Sequence, residues 1–175
     1  MDSTLARRVY DACHLTGSFL LRSGQVSDEY FDKYLFEAQP GLLLDVATAM
    51  RDLVPECDVL AGMELGGIPL ATVLSQLTGL PTVFMRKKAK EYGTCKAAEG
   101  PPVEGLRVVL VEDVVTTGGA LLDAAPMLRE LGAKVKVVVC AIDRQHGGSE
   151  RLAAAGLELR PALTRETLEA SASLG

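Results

Sequence analysis

Cysteine is sparse and nowhere paired at metal-binding or redox spacing: Cys13, Cys57, Cys95 and Cys140 are scattered, with no CxxC. A zinc site is therefore not expected, and free thiols in a reducing cytoplasm are. Histidine is scarcer still. His14 and His146 lie far apart in sequence, so a His-based metal site is not expected either. No apolar run approaches the length of a membrane span. The first residues, Met1-Asp2-Ser3-Thr4-Leu5-Ala6-Arg7-Arg8, lack the apolar core and cleavage site of a signal peptide. Positive charge is in deficit: 18 Lys and Arg face 23 Asp and Glu, a formal net charge of −5. A nucleic-acid binder normally carries a basic stripe, and the only dense basic run is Arg86-Lys87-Lys88-Ala89-Lys90. Cations gathered at one point of an acidic chain suit a small polyanion, not a duplex. Internal repeats, low-complexity tracts and long linkers are also missing.

What remains is a folded globule. Apolar residues make up 48% of 175, enough to bury the core of a single domain spanning 1–175. Residues 3–15 carry Leu5, Val9 and Ala12 at helical spacing. Short strands are expected at 18–21 and 30–34 around a Ser23-Gly24 turn, followed by a helix over 41–54. From there apolar strands alternate with helices: strand 58–61, helix near 67–78, strand 81–85, a polar stretch from 86 to about 105, strand 107–111, helix 118–131, strand 135–141, helix near 148–155. Strands this apolar imply a parallel sheet covered on both faces, hence an α/β fold. N-terminal elements are expected over about 1–40 and the α/β core over about 41–160. Ligands of such sheets gather at the C-terminal strand ends, so the loops after Ala61, Met85, Val111 and Ala141 should share one site.

The strongest signal follows the apolar strand Val108-Val109-Leu110-Val111. It reads Glu112, Asp113, Val114, Val115, Thr116, Thr117, Gly118, Gly119, Ala120. Glycines opening a helix let backbone N–H groups approach a phosphate, and the two threonines add hydroxyl donors. Paired carboxylates would repel that phosphate, so they must face something else. The hydroxyls of a ribose fit, because a carboxylate accepts two O–H bonds well. A plain N-capped helix would explain Thr-Thr-Gly, but not the carboxylate pair ending an apolar strand.

This segment resembles the 5-phosphoribosyl-1-diphosphate (PRPP) motif of type I phosphoribosyltransferases. Nearly the whole chain, from about Phe19 to Arg144, is similar to the orotate phosphoribosyltransferase family. The resemblance implies a Rossmann-like parallel-sheet core under a small N-terminal hood. It also implies Mg²⁺-dependent transfer of phosphoribose from PRPP to orotate, yielding orotidine 5′-monophosphate for pyrimidine synthesis. Residues 112–120 would bind PRPP, with Glu112 and Asp113 on the ribose and 116–120 on the 5′-phosphate. Arg86, Lys87, Lys90 and Tyr92 fall in what resembles the family's mobile catalytic loop, closing over the diphosphate. Lys87, Lys90 and Asp113 would carry catalysis, and Lys87 would reach the partner site of a homodimer. Mg²⁺ would ride on PRPP without a direct protein ligand. Orotate would meet Thr116, Arg144, Arg22, Tyr30 and Phe31.

Three positions depart from the family pattern. Tyr92 stands where histidine is usual, Gly66 where many relatives place lysine, and Arg22 where lysine is common. Other assignments stay open on sequence. The glycines of Ala61-Gly62-Met63-Glu64-Leu65-Gly66-Gly67 serve either an anion or a tight turn. Asp143-Arg144 is either a carboxylate grip or a surface ion pair. Tyr30 and Phe31 either stack on a base or fill hood core. The rival functions are a PRPP-dependent transferase for another nucleobase and a non-catalytic PRPP-sensing regulator. The Arg144 and hood matches oppose the first. The absence of a basic face or appended DNA-binding helices opposes the second.

Overall fold

A computed structural model describes residues 3–20, 24–87 and 98–173. The chain opens with α1 (Ser3–Cys13), an amphipathic helix that buries Leu5, Ala6 and Val9. It runs directly into β1 (His14–Leu20), which pairs antiparallel with β2 (Val26–Phe31). This hairpin is a separate two-stranded sheet with mostly exposed side chains. The strand expected over 30–34 ends instead at Phe31. The Asp32 carboxylate accepts a hydrogen bond from the Tyr34 N–H at 3.1 Å, and the chain turns into α2 (Tyr34–Glu37). Capture of a nearby backbone N–H is how aspartate stops a strand. The aromatic content of the segment concealed that stop.

Next come α3 (Pro40–Arg51), β3 (Val59–Met63), α4 (Gly67–Thr78), β4 (Thr82–Met85), β5 (Ala98–Glu99), β6 (Arg107–Val115), α5 (Gly119–Glu130), β7 (Lys134–Asp143), α6 (Gly148–Ala154), β8 (Glu158–Thr164) and α7 (Arg165–Ala172). The strands form one six-stranded sheet in the order β5-β4-β3-β6-β7-β8. Every neighbouring pair is parallel except β4 with the two-residue β5. The alternation of β6 shows why both faces are covered. Val109 and Val111 enter an apolar layer with Phe36, Met50, Leu70 and Leu168, while Val108 and Leu110 enter the opposite one with Leu121, Leu128 and Leu152. All five residues of β3 are buried, as a central parallel strand requires.

The strand expected over 135–141 is not the last of the sheet. β8 lies beyond it at the edge, pairing with β7 alone. Its sequence, Glu158-Leu159-Arg160-Pro161-Ala162-Leu163-Thr164, breaks the apolar run with charge and with a proline that lacks an N–H. An edge strand tolerates both. α7 then starts from a capping box in which Thr164 accepts from the Thr167 N–H and Thr167 accepts from the Thr164 N–H. Leu168 of α7 joins Leu5 and Val9 of α1 in one apolar layer, so the two ends of the described chain meet. The parallel direction of β3, β4, β6 and β7 brings their C-terminal ends to one side of the sheet. The hairpin and α2 approach that same side through Lys33, which reaches Asp113.

Candidate functional site

β6 remains extended through the carboxylate pair. Glu112 and Asp113 are both buried, the Asp113 side chain to 1% exposure. Each is tied to the backbone beside it. Glu112 Oε1 accepts from the Asp113 N–H at 3.0 Å, and Asp113 Oδ1 accepts from the Val114 N–H at 2.6 Å. Burial raises Glu112 well above the ordinary glutamate range, reinforced by a hydrogen bond to Asp113, so Glu112 is the protonated member. Burial also opposes the charge of Asp113. Hydrogen bonds from Glu112 and Lys33 outweigh that penalty and hold Asp113 below its usual value.

The counter-ion of Asp113 is one the sequence did not reveal. Lys33, in the turn between β2 and α2, places Nζ 2.5 Å from Asp113 Oδ2. Glu37, at the end of α2, brings a second carboxyl to the same spot. Its Oε1 is buried and meets no hydrogen-bond donor. Burial, with repulsion from Asp113, pushes Glu37 up to about 8. Two acids around one ammonium thus balance with a proton on Glu37. No local motif marks either residue, and only the hood turn folding onto the end of β6 joins them to Asp113.

Beyond Asp113, Val114 is half-buried and Val115 is buried at the end of β6, where its carbonyl accepts from the Arg144 N–H at 2.8 Å. Thr116 and Thr117 are exposed, and Gly118 turns the chain into α5 with a left-handed φ of 73° that favours glycine. Gly119 and Ala120 form the first turn of α5. A cavity of about 180 Å³ lies over this loop, lined by residues 114–121 and Glu112. Arg151 of α6 fixes the loop from behind, donating to the Thr117 carbonyl at 2.9 Å. Sequence reasoning passed over that arginine.

Two glycines of the loop after β3 are required by packing. A side chain on Gly67 would strike the Val111 carbonyl of β6, and one on Gly66 would overlap the Asp113 carboxylate and crowd Glu37. A lysine at 66 has no room here. Glu64 of this loop accepts from the backbone N–H of Lys87 at 2.9 Å, bridging the ends of β3 and β4. Arg86 pairs with Glu99 of β5, Nε to Oε1 3.3 Å. Lys87 is exposed. Lys90 and Tyr92, like Arg22, lie outside the described residues.

At the end of β7 the Asp143 carboxylate accepts from the Gln145 N–H at 2.8 Å, and among the described residues no ion pair joins it to Arg144. The Arg144 guanidinium instead lies over the Phe31 ring, 5.5 Å from its centroid. Tyr30 stacks on Phe19 at 5.4 Å and stays 43% exposed, so of the two aromatics only Phe31 faces Arg144. A cavity of about 170 Å³ beside Arg144 and Phe31 is completed by Arg165 and Leu168 of the unforeseen α7. Among the described residues no group of three or more His, Cys, Asp or Glu side chains is placed to hold a metal, and no helix is long and apolar enough to cross a membrane.

These elements place carboxylates, a glycine-opened helix and a cation-lined rim at one end of a parallel sheet. Residues 36–155 match the phosphoribosyl transferase domain family. An orotate phosphoribosyltransferase of Nocardioides sp. is 59% identical over 176 residues, covering 100% of this chain and 98% of the relative. A crystal structure of Mycobacterium tuberculosis orotate phosphoribosyltransferase in complex with Fe(III) dicitrate superposes with a TM-score of 0.85 at 32% identity, covering 95% of this chain and 97% of that one. The same enzyme in complex with PRPP gives a TM-score of 0.81 at 29% identity over 95% and 98% of the two chains. The chain belongs to the orotate phosphoribosyltransferases, within the phosphoribosyl transferase domain family.

Proposed function

We propose that the protein catalyses transfer of the 5-phosphoribosyl group from PRPP to N1 of orotate, releasing diphosphate and forming orotidine 5′-monophosphate for pyrimidine synthesis. The observation that carries this reading is the buried Glu112–Asp113 pair at the end of β6, set directly before an open loop and a helix N-terminus. The Thr116-Thr117-Gly118-Gly119-Ala120 turn, exposed at its two threonines, and the first N–H groups of α5 take the 5′-phosphate. Glu112 and Asp113 take the ribose hydroxyls, fixing C1 relative to the sheet. Arg144, held over Phe31 with its backbone N–H on the Val115 carbonyl, grips the orotate carboxylate with a planar fork of donors, and Thr116 joins it on the base. Tyr30 and Arg22 belong to the hood side of the base.

Bond breaking at C1 leaves oxocarbenium character on the ribose and negative charge on diphosphate. Arg86, Lys87 and Lys90 stabilise that charge as it grows, with Tyr92 donating a neutral hydrogen bond. Closure of their loop excludes water, and no protein nucleophile is needed. Mg²⁺ would ride on PRPP without a direct protein ligand and would neutralise substrate charge there. The donor set fits that arrangement, because the two acids at the end of β6 are already engaged with backbone N–H groups and, for Asp113, with Lys33. The enzyme works as a cytoplasmic homodimer in which Lys87 serves the partner's site. The described cysteines, Cys13, Cys57 and Cys140, are free and buried, which agrees with a reducing compartment.

The test is a spectrophotometric assay of orotate consumption with PRPP and Mg²⁺, run beside a panel of other free bases. Turnover dependent on both PRPP and orotate is expected. Turnover of another base in preference to orotate would overturn the assignment.

A further inference from the structure

The carboxylate assigned to the ribose is closed in this structure. Asp113 Oδ1 is taken by the Val114 N–H, Gly66 and Glu37 lie against the other side, and the remaining approach at Oδ2 is held by Lys33. With the Asp113 side chain 1% exposed, no hydroxyl from solution reaches it while Lys33 stays in place. The Lys33 side chain is itself 33% exposed, and its ammonium also lies 5.3 Å from the centroid of the Tyr34 ring. It belongs to a turn and not to a strand, at the start of a flexible four-carbon stem. The glycine loop beside Asp113 offers no cation of its own, since Gly66 has no space for a side chain.

We propose that Lys33 is a substrate-displaced counter-ion, which neutralises Asp113 in the free protein and passes to the diphosphate of PRPP when the ribose hydroxyls take its place. The idea rests on the assignment of Asp113 to the ribose. Its chemistry is a charge exchange with no covalent step. A carboxylate left bare would repel a polyanionic substrate, and an ammonium paired with it in the empty site avoids that cost. In PRPP the diphosphate leaves from C1, next to the hydroxyls that displace Lys33. The freed ammonium therefore finds a new anion within the reach of its own stem. The direction of its titration agrees: burial works against the Lys33 charge, but the bond to Asp113 raises its pKa, so it arrives as a cation. Lys33 supplies from the hood side a charge that the glycine loop beside Asp113 cannot.

The experiment is steady-state kinetics and calorimetric titration with PRPP and Mg²⁺, on the full chain, for Lys33→Met, Lys33→Arg and Asp113→Asn. Lys33→Met should raise the PRPP KM and Kd by roughly tenfold or more, the loss of one charge-assisted contact, and change the orotate KM by less than about twofold. Lys33→Arg should recover most of the PRPP affinity because it keeps the charge. An unchanged or lower PRPP KM in Lys33→Met overturns the proposal, since a purely blocking lysine would give tighter binding when removed. Equal damage to both KM values, not rescued by Lys33→Arg, overturns it in favour of a structural role. If Lys33→Met does not fold, Lys33→Gln is read in the same way. Asp113→Asn separates the two levels. Weakened PRPP binding in Asp113→Asn with none in Lys33→Met rejects the lysine alone, while normal PRPP binding in Asp113→Asn rejects the ribose assignment beneath it.

Discussion

Gly66 sits against Asp113 so closely that even a methyl group at position 66 would overlap the carboxylate. The glycine loop after β3 and the acidic end of β6 are therefore one packed unit. The neighbour that would have to yield is anchored by the Val114 N–H and by Lys33.

Gly66→Ala is accordingly expected to destabilise the protein by about 1–3 kcal/mol, the usual cost of overpacking a well-filled site. It should also raise the PRPP KM by displacing Asp113. Chemical denaturation and kinetics on the same preparation check both effects. Wild-type stability with wild-type KM would show that the carboxylate moves aside freely.

Arg144→Ala should weaken orotate far more than PRPP. Loss of a charge-assisted bidentate contact is worth about 1.5–3 kcal/mol, or roughly ten- to a hundredfold in the orotate KM. The PRPP KM serves as the internal control, because Arg144 lies over Phe31 while Lys33 is the cation on Asp113. If both constants rise together, Arg144 does not read the base.

Glu37 gives the protein a pH-dependent stability whose sign follows from its raised pKa. In the unfolded chain it titrates near 4.5, and in the fold near 8. Between those values the folded state holds the extra proton, so this contribution is complete below the lower value and is lost as pH rises through the upper one. Glu37→Gln keeps the shape of the neutral acid and cannot ionise. Its melting temperature relative to the parent should climb from about pH 5 to about pH 8 and then level off. Parallel pH curves for the two proteins would mean that Glu37 carries no shared proton.

Lys87 offers a test of the dimer. If it serves the partner's site, Lys87→Ala and Asp113→Asn chains, each inactive alone, should complement when mixed. The heterodimer then contains one site with both residues intact, and activity should return to roughly a quarter of the parent value at equal mixing, the share of intact sites when exchange is random. Subunit exchange is verified by native mass spectrometry. Complete exchange without recovered activity would place Lys87 in its own subunit's site.

The central sheet and the glycine-opened loop after β6 were legible in the sequence. Both are local patterns: the Val108-Val109-Leu110-Val111 run requires burial on two faces, and the acids, hydroxyls and glycines that follow it are contiguous. The sequence also placed Arg144 directly after a strand, while leaving its ion pairing open. β8 was illegible because an edge strand need not be apolar on both faces, and with Pro161 inside it the segment resembles a loop. Tyr30 and Phe31 were indistinguishable as neighbours on one strand. Pleating sends successive side chains to opposite faces, and the fold put Arg144 beside Phe31 and Phe19 beside Tyr30. The environment of Asp113 belongs wholly to the tertiary structure. Lys33 and Glu37 come from the hood turn and Gly66 from the loop after β3, three segments with no shared periodicity. Their meeting depends on how a hairpin and a short helix lie across the end of a parallel sheet, and the energy of that contact is electrostatic and buried. No pattern along the chain encodes it, because burial and charge pairing are properties of neighbours in space.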